Sequence, residues 1–116
     1  MTTVLIAENK PRISDLLVKG LQKAGYETQV ETESVNILKL SLSGKIDLIL
    51  LNLMMSHVNG LSVLHQMQEY AVQIPVIVLT EREEIQRDEV LGLGAKELIR
   101  HPFLFKELFT HIRRYI

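Results

Sequence analysis

The sequence contains no cysteine, which excludes disulfide staples, thiolate metal sites and cysteine nucleophiles at once. It also lacks an excess of either charge, since thirteen Lys and Arg stand against fourteen Asp and Glu for a net charge of −1. With no surplus of positive charge to attract phosphates or anionic lipid, direct nucleic-acid binding and membrane adhesion are not expected. No apolar run approaches the ~20 residues that cross a bilayer, and Met1-Thr2-Thr3 lacks the basic start of a secretory signal. The chain therefore reads as cytoplasmic. There is no P-loop, no GxGxxG after the first strand and no Ser-His-Asp set in a nucleophile-elbow context, so an enzyme is not expected. Internal repeats, low-complexity tracts and Gly/Ser linkers are absent as well. At 116 residues and 47% hydrophobic, residues 1–116 make one domain with a single core.

Three apolar blocks stand out, Val4-Leu5-Ile6-Ala7, Leu48-Ile49-Leu50-Leu51 and Val76-Ile77-Val78-Leu79. None alternates with polar residues, so each predicts a strand covered on both faces. The stretches between them are too long for hairpins and carry helical spacing, as in Ile13, Leu16, Leu17, Leu21 and Ala24, with Gly25 as a helix stop. Less apolar strands are predicted over Tyr26–Glu31 and Glu97–Arg100, and helices near Ser34–Ser43, Gly60–Tyr70, Glu83–Leu93 and Phe105–Tyr115. Alternating strands and helices with right-handed crossovers give an α/β, doubly wound, five-stranded parallel sheet, most simply in the flavodoxin-like order 2-1-3-4-5.

In such a sheet a ligand site lies beyond the carboxyl ends of the strands, where the strand order reverses. That places Glu8, Asn9 and Asn52 at the centre and adds Thr80 and His101 from the neighbouring strand ends.

These residues carry a resemblance that runs essentially end to end. Val4-Leu5-Ile6-Ala7-Glu8-Asn9-Lys10-Pro11, Asp47 to Met55 with Asn52, Asn59-Gly60, Val78-Leu79-Thr80, Gly94-Ala95 and His101-Pro102-Phe103 follow one another in order. In that order and spacing the chain resembles the receiver domains of bacterial two-component response regulators. The stretch Gly92 to Gly94 is shorter than the family pattern. The resemblance implies that Asn52 occupies the position of the phosphoacceptor aspartate. Glu8 and Asn9 occupy the positions of the acidic pair that holds magnesium, Thr80 that of the switch threonine, His101 that of the phosphate-contacting lysine, and Leu98 that of the partner aromatic.

Only Glu8 and Thr80 keep the family's chemistry at these positions. An amide is a poor nucleophile toward phosphorus, and magnesium prefers carboxylate and water oxygens. Imidazole is shorter than a lysine side chain and, with an unperturbed pKa of about 6.5, mostly neutral near pH 7. The resemblance with these departures implies a pseudo-receiver, with magnesium binding weak or absent and no metal or other cofactor. It would act as a phosphorylation-independent interaction or dimerisation module regulating an attached or partner output, transcription included. The alternative is a small-molecule sensor that uses a vacated pocket around Glu8, Asn52, Thr80 and His101.

Plainer roles stand beside these. Asn9, two residues before Pro11, fits a helix cap, and Asn52 an ordinary turn residue. Thr80 with Glu83 fits a capping box, and His101 fits either a pH sensor or a neutral hydrogen-bonding group. Met54 and Met55 suit core and rim packing, while His57 to Gly60 read as a turn in which Asn59-Gly60 supplies positive φ.

The last helix places Phe105, Leu108, Phe109 and Ile112 at core spacing, with Leu98, Phe103, Leu104 and Tyr115 as further apolar surface. In the branch of the family that carries winged-helix DNA-binding domains, the fourth helix, fifth strand and fifth helix mediate dimerisation. The resemblance thus implies a homodimer or protein partner at that face, with Glu97, Phe105, Phe109 and Arg113 as interface candidates.

Overall fold

The computed structural model describes residues 1–53 and 59–116. The packing and turn roles expected of Met54, Met55 and His57 fall outside the described residues. Five strands, β1 (Thr3–Ala7), β2 (Glu27–Glu31), β3 (Leu48–Asn52), β4 (Val76–Thr80) and β5 (Glu97–Arg100), form one sheet. They alternate with α1 (Pro11–Lys23), α2 (Ser34–Ser41), α3 (Gly60–Glu69), α4 (Arg87–Gly92) and α5 (Phe105–Tyr115). Every pairing is parallel, in the order β2-β1-β3-β4-β5.

The unbroken apolar strands are covered on both sides, as their composition requires. Leu5, Ala7, Ile49, Leu51, Val76 and Val78 pack with Ile37, Val63, Leu64, Met67 and Val90 of α2, α3 and α4. Val4, Ile6, Leu48, Leu50, Ile77 and Leu79 point the other way and meet Leu17 and Leu21 of α1 and Leu108 and Ile112 of α5. This is the period-2 alternation of a strand distributed over two cores. Gly25, φ +96°, ends α1 in the left-handed conformation open to glycine.

Two local expectations are corrected. The fourth helix does not start at Glu83 but at Arg87, and it is six residues long. Ile85 is drawn into the core, and the carbonyls of Arg82 and Ile85 are taken by the Arg100 guanidinium, which leaves residues 81–86 outside any helix. The Asn59-Gly60 pair is not a positive-φ turn. Asn59, φ −81°, is the N-cap of α3, its Oδ1 accepting from the N–H groups of Leu61 and Ser62 at 3.1 and 3.3 Å. Gly60 is needed for space, because a Cβ there would lie 2.6 Å from the Leu53 Cα.

Gly60→Ala is accordingly expected to destabilise the protein by about 1–3 kcal/mol through overpacking. Urea unfolding checks it, with an unchanged midpoint as the contrary outcome.

Candidate functional site

Parallel register brings the site together. Ala7 of β1 lies opposite Leu51 of β3, so the next residues, Glu8 and Asn52, emerge side by side at the carboxyl end of the sheet. Both are buried, at 1% and 3% exposure. The Glu8 carboxylate is engaged on both oxygens: Oε1 accepts from the backbone N–H groups of Asn9 and Lys10 at 3.0 and 3.1 Å, and Oε2 accepts from Nδ2 of Asn52. A buried carboxylate is tolerated only when such donors replace its lost hydration.

The expected helix cap at Asn9 is not what the structure shows. Lys10 occupies the N-cap position of α1 without a side-chain cap bond, Pro11 follows as the first helical residue, and the Glu8 carboxylate satisfies the Lys10 N–H. The Thr80–Glu83 capping box is likewise absent, since the helix starts later. Thr80, fully buried at the end of β4, accepts the Arg82 N–H on Oγ1 at 3.0 Å, and its carbonyl accepts the His101 N–H at 2.9 Å. Leu98 is partly buried against the α2-α3-α4 core.

His101 is half-buried, its ring tilted on Phe103 with centroids 4.8 Å apart. Burial holds the imidazole below the ordinary histidine range, against the pull of Glu81 and Glu8 toward the charged form, with Lys10 adding to the depression. The site is thus made of one carboxylate, two amides, a hydroxyl and an imidazole that favours its neutral form. Glu8, Asn52 and Thr80 are all buried, so among the described residues these three do not line an open, vacated pocket. The set does not fit magnesium, which seeks several carboxylate and water oxygens. One carboxylate is present and N–H donors hold both of its oxygens.

The interface candidates divide. Glu97 is buried, and its carboxylate is bound within the chain by the Arg87 guanidinium at 2.8 Å, with His111 Nδ1 at 3.5 Å. Arg87 lowers the Glu97 pKa by hydrogen bonding, with burial opposing it. Phe105 and Phe109 stack at 5.7 Å and belong to the α1 side. A Cβ on Gly20 of α1 would come 2.8 Å from the Phe105 ring. Helical geometry explains this placement. With Leu108 and Ile112 facing the core, Phe105 and Phe109 fall on one flank of α5, and the flank toward β5 carries His111 and Tyr115, whose hydroxyl donates to the Lys96 carbonyl at 3.2 Å. Arg113 is exposed in the last turn.

Sequence reasoning missed Arg100 and Arg87. A charged residue inside a short strand at the sheet edge was the available signal for Arg100, whereas the Arg87 pairing with Glu97 had none before the folded geometry brought them together.

Residues 4–113 match the family described as the response regulator receiver domain. The transcriptional regulatory protein CusR of Escherichia coli (strain K12) is 32% identical over 111 residues, covering 95% of this chain and 49% of that protein. The response regulator ArlR of Staphylococcus haemolyticus is 34% identical over 115 residues, 97% of this chain and 52% of that one. The chain thus spans about half the length of the curated relatives it matches. Among solved structures, the response regulator TrrA of Thermotoga maritima in complex with Mg(2+)-BeF superposes with a TM-score of 0.88 at 28% identity over 100% of both chains. The Francisella response regulator 1452 receiver domain gives 0.90 at 23% identity, over 99% of this chain and 96% of that one.

Two outcomes follow from the site's electrostatics. Asn52→Asp replaces a donor by a second carboxylate against Glu8. In metal-free buffer it is expected to cost about 1–3 kcal/mol. One member of the like-charged pair has its pKa raised, so this loss grows as pH rises through that pKa. Denaturant unfolding at a series of pH values reads it, and equal stability of both proteins at neutral pH contradicts it. For His101 the sign is opposite. Its folded pKa is depressed, so its contribution is intact above about pH 6.5 and declines as pH falls below that value. His101→Gln should therefore melt with a shallower dependence on pH than the parent between about pH 7 and about pH 5.5, and parallel curves would contradict it.

Proposed function

The chain belongs to the response regulator receiver domain family, and from that membership we propose that it is a pseudo-receiver, a signalling module that works without phosphorylation. The observation that carries this reading is the Asn52 amide donating to Glu8. The residue at the end of β3 is a neutral donor that lacks the nucleophilic carboxylate an acyl phosphate requires. Its neighbour's charge is already compensated by protein N–H groups, and among the described residues no acidic cluster stands ready to recruit a cation. TrrA, which matches over its full length, was solved with Mg(2+)-BeF. In this chain Asn9, Asn52 and His101 weaken each part of a comparable site.

The module acts through protein contacts in the cytoplasm, as a homodimer or with a protein partner, using the face of α4, β5 and α5. Glu97, already bound to Arg87, supports that face from within. On α5 itself an outer groove is lined by Leu104, Lys106, Glu107, Thr110, His111 and Arg114, and Arg113 adds charge in the last turn. CusR, about twice as long, is named a transcriptional regulatory protein, which makes transcription the output best supported for a chain attached to or partnered with a DNA-binding domain.

An amide NMR titration with magnesium, then with magnesium plus beryllofluoride, tests the proposal directly. The amides of Glu8, Asn52, Thr80 and His101 are expected to stay unshifted, and Asn52→Asp is not expected to label rapidly from acetyl phosphate while Asn9 and His101 remain. Saturable shifts at those four residues spreading into α4 and β5, or rapid labelling of that single variant, would sink it.

A further inference from the structure

Residues 81–86 connect β4 to α4 with no helix or strand of their own, although they join the buried Thr80 to an outer helix. A connection of that kind is ordinarily the freest part of a surface. Here it is fastened at several points. Thr80 Oγ1 accepts the Arg82 N–H at 3.0 Å. From the edge strand β5, Arg100 donates Nη1 to the Arg82 carbonyl at 2.5 Å and Nη2 to the Ile85 carbonyl. Ile85 itself is 5% exposed and packed in the core, so the guanidinium ties a surface carbonyl to an anchored one. Arg87, which opens α4, is held by Glu97 at the other end of the same four-residue strand.

We propose that Arg100 is a positioning residue, a clamp that sets residues 81–86 and the start of α4 so that the face of α4, β5 and α5 is preset without any event at the strand ends. The inference rests on the phosphorylation-independent reading and supplies a source for the shape of that face other than modification of residue 52. The chemistry favours arginine. A planar guanidinium spans two carbonyls at once with fixed geometry, whereas an ammonium is a compact charge that does not reproduce that fork.

Hydrogen exchange on the full chain, followed by NMR at Arg82, Glu89 and Val90, whose N–H groups are all hydrogen-bonded, reads the clamp. In Arg100→Ala these amides are expected to exchange about tenfold faster or more while those of β1 and β3 keep their rates, since only a local opening is freed. Arg100→Lys keeps the charge but not the fork and should fall between parent and alanine variant, and it serves as the comparison if the alanine variant fails to fold. Unchanged exchange at the three amides, equal acceleration across the whole sheet, or full protection in Arg100→Lys would each overturn the clamp. The parent is also measured with magnesium and beryllofluoride. Acceleration there overturns the phosphorylation-independent reading, while the Arg100 variants still decide the clamp separately.

Discussion

A single buried carboxylate governs the centre of this molecule. Glu8 sits 1% exposed at the end of β1, where an ionised group stripped of water would be costly without close donors. Two backbone N–H groups and the Asn52 amide provide them. The amide matters because it brings a donor without bringing charge. A carboxylate in its place would face Glu8 as a like charge, and the two could both remain ionised only with a cation between them; otherwise one carboxyl would take up a proton. The site as built is closed by hydrogen bonds among protein groups.

The sheet makes that contact possible and carries its influence outward. Parallel pairing of β1 with β3 puts Glu8 beside Asn52, and pairing of β4 with β5 sets Thr80 opposite Arg100. From there two residues of the edge strand reach the outer layer. Glu97 lies between Arg87 of α4 and His111 of α5, and Arg100 holds the chain that leads into α4. A short edge strand with few backbone partners thus contributes through its charged ends as well as through Leu98 and Ile99, which pack on the two cores. Of these layers α4 has only Val90 fully buried and is joined to β5 by the Arg87–Glu97 pair as well, whereas α5 is seated on the sheet by the buried Leu108 and Ile112.

Family membership accounts for the frame and leaves the site to be read from its own residues. A shared frame does not fix function, which resides in the residues that the frame presents at the strand ends. Against the positions that the resemblance implies, Asn9 and Asn52 put amides where acids are expected, His101 a half-buried imidazole where a long cation is expected, and Leu98 an aliphatic chain where an aromatic is expected. The first three lower the charge that the site can hold.

Much of this was determined by the sequence alone. Apolar blocks without alternation dictated a parallel sheet covered on both faces, because a strand with no polar side has no face to give to water. The order of the strand-end residues identified Glu8, Asn52, Thr80 and His101 as neighbours, since strand ends converge in any doubly wound sheet. What tertiary structure alone decided were the partners of those residues and the ends of the elements. Local pattern assigned Asn9 a cap, Thr80 a capping box and Asn59-Gly60 a positive-φ turn. The folded chain instead gave the Lys10 N–H to Glu8, started α4 four residues later and used Gly60 to make room for Leu53. Phe105 and Phe109 turned toward α1, and Glu97 found Arg87 ten residues away. Capping and turn propensities are worth only about 1 kcal/mol each. Burial of Ile85 and the pull of a guanidinium on two carbonyls outweigh them, and those forces exist only once distant segments have met.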